Sequence, residues 1–315
     1  IGGLRIPFDE IGGLCVLTSE KDKWAKATYD LNFGLKNAKD HVFNPDITTL
    51  AEQEVPDHEL LLGGFPCQPF SHAGKRKGFD DIRGTLFFDI ARILDFKAKT
   101  SRVPNVIILE NVRGLVTHDK GNTYKRILEV LSTWYSVSPL LLNAKDFGVP
   151  QSRVRIYLVG IRKELVSEHQ LTKELESALS SRAQARTKVG DILDSNVDSK
   201  YRISDRLWAS HQARKARHES KGNGWGYRLV RADSPYTATI SARYNKDGSE
   251  ILIDDELGNP RKLTPREAAR LQGFPEDFNL GPSEAQSYKQ FGNAVAVPVV
   301  RFLAESVTNY LSIGT

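Results

Sequence analysis

The feature that most constrains this chain is an alternation of short β-rich runs and helix-length stretches, which fills the first half and then stops. Leu14-Cys15-Val16-Leu17 reads as a buried strand, and Lys23 to Asn32 as a helix stopped near Gly34. Leu60-Leu61-Leu62 is a short apolar run ahead of Gly63-Gly64. Thr85 to Phe96 reads as a helix with Leu86, Ile90, Ile93 and Leu94 on one face. Val106 to Leu109 and Arg155 to Val159 read as further strands. Strands alternating with helices build a parallel sheet covered on both faces. The expected class is therefore α/β with a mostly parallel sheet.

The pattern breaks near Glu164. From there to about Asn259 the chain is polar, basic and interrupted by glycine, with strand-like runs only at Thr237 to Tyr244 and Glu250 to Ile253. This predicts a second, smaller, irregular β-containing domain over 164–283. Helical periodicity returns at Thr264-Pro265-Arg266-Glu267, which has the form of an N-cap followed by Pro at the first helical position. Val295 to Leu311 is apolar enough to pack back on the first domain, so 284–315 completes a unit begun by 1–163. A length of 315 residues suits one large domain and one smaller one.

Charge is unevenly placed. Residues 200–231 hold nine Lys or Arg against Asp205 and Glu219, a local +7 in a chain whose net charge is +5. Such a block fits either a polyanion partner or a solvated surface segment, and charge alone does not separate the two. Two cysteines make no disulfide framework, which points to a reducing cytoplasm. No apolar run reaches bilayer length, and the start has no signal-type segment.

Several positions carry chemistry. Ile1-Gly2-Gly3 before a helix suits a strand-to-helix turn where backbone approaches a ligand, although a Gly-Gly turn is more often only a turn. The start at Ile1, with no strand ahead of the glycines, reads as an incomplete N-terminus. Glu20 ends the next strand, where an acidic residue binds ribose hydroxyls of a nucleoside cofactor. Asp46-Ile47 closes the following unit, facing an adenine edge.

Cys67 lies in Gly63-Gly64-Phe65-Pro66-Cys67-Gln68-Pro69-Phe70-Ser71, where a strand gives way to a loop. Ligands of open α/β sheets bind beyond the carboxyl ends of strands, and a thiolate is intrinsically nucleophilic. A lone cysteine is usually inert core; Cys15 fits that description, while Cys67, between prolines and after a glycine pair, does not. Ser71 to Gly84, with Lys75-Arg76-Lys77 and Arg83, has the composition of a lid over a polyanion, or of an ordinary exposed loop. Glu110 directly follows the strand Val106–Leu109, on the same rim as Cys67. Burial would keep its carboxyl protonated and able to donate to a ring nitrogen. In Gln151-Ser152-Arg153-Val154-Arg155, alternation places Arg153 and Arg155 on one side, suited to a carbonyl oxygen and a phosphate.

These runs together make the chain resemble the C5-cytosine DNA methyltransferase family over essentially its whole length. The Phe-Pro-Cys-Gln, Glu-Asn-Val and Gln-x-Arg-x-Arg runs appear in the family's order. Arg266-Glu267-Ala268-Ala269-Arg270-Leu271-Gln272-Gly273-Phe274-Pro275 and Gln290-Phe291-Gly292-Asn293-Ala294-Val295 follow them. The resemblance implies a Rossmann-like S-adenosylmethionine-dependent methyltransferase domain plus a target-recognition domain. It implies that Cys67 attacks C6 of a flipped cytosine, Glu110 protonates N3, and Arg155 binds the O2 carbonyl. Arg153 would support the loop and pocket, and C5 would take the methyl group. It implies cofactor contacts at Gly2, Gly3, Glu20, Asp46, Ile47, Pro66, Leu86, Asn293 and Val295; no metal is implied. Lys21 stands where the family often has an aromatic against the adenine.

The basic segment then corresponds to target recognition. Gly222 to Tyr227 and Ser241 to Gly248 look like the subgroup that modifies CCNGG, CCWGG or CCGG sites. Thr239-Ile240 is similar to a short pair near the flipped base. Ser71, Arg83, Thr239, Arg243, Tyr244 and Lys246 are the expected DNA contacts, with Arg228 a further candidate, although some of these positions would equally cap short strands. The partner implied is double-stranded DNA. The chain would act as a monomer in a bacterial cytoplasm, alongside a cognate restriction endonuclease. Two alternatives are a transfer-RNA cytosine-5 methyltransferase of the same fold, which Gln68-Pro69 disfavours, and a catalytically silent DNA-binding regulator, which intact Cys67, Glu110 and Arg155 disfavour.

Overall fold

In the computed structural model, which describes residues 1–34, 39–66, 86–183, 187–224 and 226–311, a glycine turn leads into the short helix α1 (Ile6–Glu10). The strand β1 (Leu17–Ser19), helix α2 (Lys23–Phe33) and strand β2 (Val42–Asn44) follow, and β1 pairs with β2 in parallel. Asp22 starts α2 by accepting from the backbone N–H groups of Trp24 and Ala25. The strand expected at Leu14 to Leu17 is displaced toward the C-terminus. β2 offers its first partner, Val42, only opposite Leu17, and Leu14 stays 73% exposed after Gly12-Gly13.

The next unit matches its expected form. Strand β3 (Leu60–Gly64) and strand β4 (Val106–Val112) pair in parallel across helix α3 (Leu86–Lys99). Phe87, Ile90, Ile93 and Leu94 of α3 are buried; Leu86, at its first turn, is not. Val106 to Leu109 are fully buried, as a central strand covered on both faces requires.

After helix α4 (Asn122–Leu131) the sheet changes direction. Strand β5 (Tyr135–Asn143) and strand β6 (Val154–Arg162) are antiparallel to each other, β6 is antiparallel to β4, and the order is β3-β4-β6-β5. The central sheet is thus mixed rather than parallel throughout. Only the 3-10 turn Ala144–Phe147 lies in the connection from β5 to β6, and a parallel crossover needs a dozen or more residues, usually including a helix. Pro139 is tolerated because β5 is an edge strand.

Helices α5 (Glu168–Ser181) and α6 (Asp205–Glu219), strand β7 (Leu229–Val230), helix α7 (Tyr244–Asp247) and strand β8 (Leu252–Ile253) come next. Helix α8 (Pro265–Leu271) begins at the expected Thr264 cap, reinforced by Glu267 in a reciprocal capping box. Helices α9 (Glu284–Asn293) and α10 (Val297–Val307) close the described chain.

One buried cluster joins β4, β5 and β6 to α10 through Ile108, Leu140, Tyr157, Val159, Val300 and Leu303. α10 therefore packs against the central sheet. Leu171 and Leu175 of α5 enter the same cluster, although α5 lies beyond Glu164. A second cluster combines Ile6 and Phe33 with Ile240, Tyr244, Leu271, Phe274 and Phe291. Apolar packing therefore runs across both expected domain boundaries. No helix among the described residues is long and apolar enough to cross a membrane.

Candidate active site and nucleic-acid interface

The parallel register sets Gly64 beside Glu110 at the carboxyl ends of β3 and β4. The antiparallel register sets Val112 beside Arg155 at the start of β6. Three different strands thus deliver Gly64, Glu110 and Arg155 to one rim. A Cβ on Gly64 would lie 3.6 Å from Glu110 Oε2, so β3 approaches the carboxyl closely. Phe65 and Pro66 lead from Gly64 toward Cys67; Cys67, Ser71 and Arg83 lie outside the described residues.

Glu110 Oε1 is 3.2 Å from Arg155 Nε, with both side chains mostly shielded from water. Burial raises the Glu110 carboxyl above its ordinary value, while Arg155 and then Arg153 pull it down; burial is the larger effect. Arg155 also donates from Nη1 to the Val154 carbonyl. Arg153 is buried and donates to the carbonyls of Ile240, Gly292 and Ala294 at 3.3, 3.2 and 2.7 Å. Desolvation, and secondly Arg155, lower its guanidinium to about 10. The two arginines therefore divide their work. Arg155 faces the carboxyl, and Arg153 straps three segments together.

Asn111 is a contributor that residue-type reasoning passed over. Its Nδ2 donates 2.8 Å to the Phe65 carbonyl, and its Oδ1 accepts from Val112 N–H. It clamps the segment leading to Cys67 onto β4. Its place between Glu110 and an apolar residue, directly after a buried strand, was the available signal.

A second group of residues lies along the glycine turn and the ends of β1 and β2. Gly2 has φ +87°, and a Cβ there would meet the Phe33 ring at 2.2 Å. A Cβ on Gly3 would lie 3.1 Å from Val295 Cγ2, so these two expected cofactor contacts are neighbours. Glu20 directly follows β1; its N–H donates to the Asn44 carbonyl, and its Oε1 accepts from Asp22 N–H. Asp46 caps the turn at Ile47, accepting from Thr48 N–H and Oγ1, while Lys21 Nζ lies 2.5 Å from its Oδ2. The Lys21 hydrogen bond holds Asp46 at about 2. Pro66, Leu86 and Asn293 are exposed.

The recognition residues divide. Thr239 Oγ1 donates 2.7 Å to the Ser152 carbonyl, tying its segment to the start of β6. Arg243 and Lys246 are exposed at either end of α7, as is Arg228 before β7. Tyr244, expected to touch guanine or phosphate, is instead core. It is fully buried; its hydroxyl donates to the Ile251 carbonyl and accepts from Leu263 N–H, and its ring packs edge-on against Tyr288 at 5.3 Å. An aromatic whose hydroxyl finds internal partners is more stable inside than in water.

The basic block is now divisible. Lys200, Arg202, Arg214 and Arg231 each lie within 3.2 Å of a carboxylate. Arg206, Arg217 and Lys221 are exposed and have no carboxylate partner among the described residues. Arg206 and Arg217 share one face of α6, about 16 Å apart, opposite the buried His211.

Comparison with known proteins agrees with this arrangement. Residues 1–309 match the C-5 cytosine-specific DNA methylase family. The chain is 50% identical to the Type II methyltransferase M1.ScrFI of Lactococcus lactis subsp. cremoris, over 99% of this chain and 76% of the relative. It is 38% identical to the Type II methyltransferase M.HpaII of Haemophilus parainfluenzae, over 99% of this chain and 87% of the relative. Crystal structures of DNMT2 from Spodoptera frugiperda and S. pombe share the fold, each with TM-score 0.72. Sequence identity to them is 21% and 20%, with 98% of this chain and 97% and 95% of those chains covered.

Proposed function

Given that this chain belongs to the C-5 cytosine-specific DNA methylase family, we propose that Cys67, Glu110 and Arg155 carry the reaction and that Arg153 positions it. The activity is methylation of cytosine C5 in DNA, with S-adenosylmethionine as methyl donor. Cys67 Sγ adds to C6 of the flipped cytosine, and Glu110 delivers a proton to N3 so that negative charge does not build on the ring. Arg155 donates to the O2 carbonyl. Once C5 carries the methyl group, loss of the C5 proton, departure of the Cys67 thiolate and return of the N3 proton to Glu110 release the product. The observation that supports this most is the Glu110–Arg155 pair, on a rim joined by the register of β3 to the residues just before Cys67.

The rim at the glycine turn fits S-adenosylmethionine. Gly2 gives the turn a positive φ and Gly3 lets it pack against Val295, so the two glycines shape the rim, while the Glu20 carboxylate suits ribose hydroxyls and Ile47 is an apolar neighbour for a purine. Pro66, Leu86, Asn293 and Val295 would complete the site. Asp46 fits only after a change, because Thr48 and Lys21 occupy its oxygens. When bound, the cofactor supplies an electrophilic methyl group. The chain's task is to bring C5 of the cytosine to it and to exclude water.

Duplex DNA would be read by 164–283, through Thr239, Arg243 and Lys246 at the bases and through the basic face of α6 at the phosphates. Ser71 and Arg83 would join from the loop after Cys67. The target belongs to the CCNGG, CCWGG or CCGG type, the chain works as a monomer, and its place is a restriction-modification pair. Labelled S-adenosylmethionine incubated with duplex DNA or transfer RNA tests the whole reading. Transfer to DNA alone is expected; transfer to RNA alone, or to neither, contradicts it.

The α6 assignment has its own test. Substituting Arg206, Arg217 and Lys221 together with glutamine should lower the slope of log affinity against log salt by about 2–3. The loss should be equal for target and unrelated duplexes. An unchanged slope, measured by fluorescence anisotropy, removes α6 from the interface.

A further inference from the structure

We propose that Gln151 and Gln272 are positioning residues that couple target-sequence reading to the geometry of the base pocket. The inference rests on the preceding reading that Arg153 and Arg155 support and line that pocket. Both glutamines are fully buried and so act through Ile240 and Arg153 rather than on substrate.

The two side chains are fully buried and bonded to each other, Gln151 Nε2 donating 3.1 Å to Gln272 Oε1. Gln151 Nε2 also donates to the Leu271 carbonyl, and its Oε1 accepts from Ile240 N–H. Gln272 Nε2 donates to the carbonyls of Phe291 and Ala294. Arg153 then takes the Ile240 and Ala294 carbonyls. Ile240 is therefore gripped on both sides of its backbone, N–H by Gln151 and C=O by Arg153.

This grip is one part of the recognition segment's attachment to the stretch that leads into β6. Residues 237–241 belong to no strand of the main sheet. They meet the stretch just before β6 through an isolated bridge between Gln151 and Thr237, backbone bonds of Thr237 with Pro150 and Ser152, and the Thr239 hydroxyl. On the other side, Gly292 allows Ser241 and Ala242 to approach so closely that a Cβ would lie 2.3 Å from backbone. A shift of residues 239–243 on docking to a duplex therefore moves Arg153, and with it Arg155 two residues on. The same shift pulls on the Gly292–Ala294 turn. A buried amide with every donor used transmits such a shift, because breaking any of its bonds leaves an unsatisfied polar group.

The test is selectivity, which a passive strut would not alter. Native protein, Gln151→Met and Gln272→Met each methylate a plasmid, and bisulfite sequencing maps methylated cytosines. Gln151→Met should raise the ratio of off-target to target methylation by about tenfold. Gln272→Met leaves the Gln151–Ile240 bond in place and should raise the ratio less. For Gln151→Met, which leaves the Gln272 bonds to Phe291 and Ala294 in place, S-adenosylmethionine affinity from calorimetry should stay within about twofold. A proportional loss of target and off-target methylation overturns the proposal, as does failure of both variants to fold by thermal melting. Absence of site-selective methylation by the native protein overturns the underlying reading as well, and so is distinguishable.

Discussion

Replacing Cys67 with serine is expected to abolish methyl transfer, by on the order of 10⁴-fold or more, while leaving duplex affinity nearly unchanged. A thiol near its ordinary pKa of about 8.5 supplies a few per cent thiolate at neutral pH, and the thiolate is the attacking species. A serine hydroxyl is essentially un-ionised there, and no histidine is placed by the described residues beside Glu110 and Arg155 to deprotonate it. The exchange barely changes volume, so the segment held by Asn111 on the Phe65 carbonyl should keep its path. A duplex carrying 5-fluorocytosine at the target separates the chemistry from binding. Fluorine cannot leave as a proton does, so the native protein should remain covalently attached on a denaturing gel. The serine variant should bind the same duplex and release it. Retained transfer by the variant would remove Cys67 from the mechanism.

Substituting Glu110 with glutamine should lower the rate about 10²–10⁴-fold, because the amide can hydrogen-bond N3 but cannot give it a proton. Its pH behaviour follows from the buried carboxyl. The ordinary value is 4.5, and burial raises it against the pull of Arg155 and Arg153. The protonated acid therefore persists above pH 4.5 and is lost as pH rises through the raised value. Native kcat/KM should fall over that interval on the alkaline side, and the Gln variant should lack that limb. Stability has the same sign: the contribution of neutral Glu110 is fully present below the unfolded value and fades as pH rises through the folded one. Arg153, held near 10, stays charged through this range and does not produce the limb. A variant profile that keeps the same alkaline fall would assign it to another group.

Much of the architecture was readable because it depends on local pattern. A run of four apolar residues, Val106 to Leu109, bounded by Pro104 and Glu110, suits a central strand covered on both faces, and all four are fully buried. A Thr-Pro-x-Glu sequence carries its own cap, and α8 begins there. The direction of β6 was also written in the chain, as a connection from β5 too short for a parallel crossover, yet it becomes visible only once β5 is recognised. Pro139 and the polar alternation of Tyr135 to Asn143 disguise that strand. The shift of β1 away from Leu14 had no local signal, since its register depends on where β2 begins some 25 residues later.

The sequence by itself determined the chemistry of this protein. Three of its five ordered runs supply the thiol, the carboxyl and the two guanidiniums proposed to carry the reaction, because residue type and spacing at strand ends are local properties. Only tertiary structure decided how those groups are held and which neighbours they face. It set Arg155 against Glu110 and turned Arg153 inward to strap the Ile240 segment. It also withdrew Tyr244 into the core and left Arg206 and Arg217 on α6 without a carboxylate partner among the described residues. The physical reason is that burial and pairing are properties of residues far apart in sequence. Pattern within the irregular segment 164–283 has no period to say which side faces in.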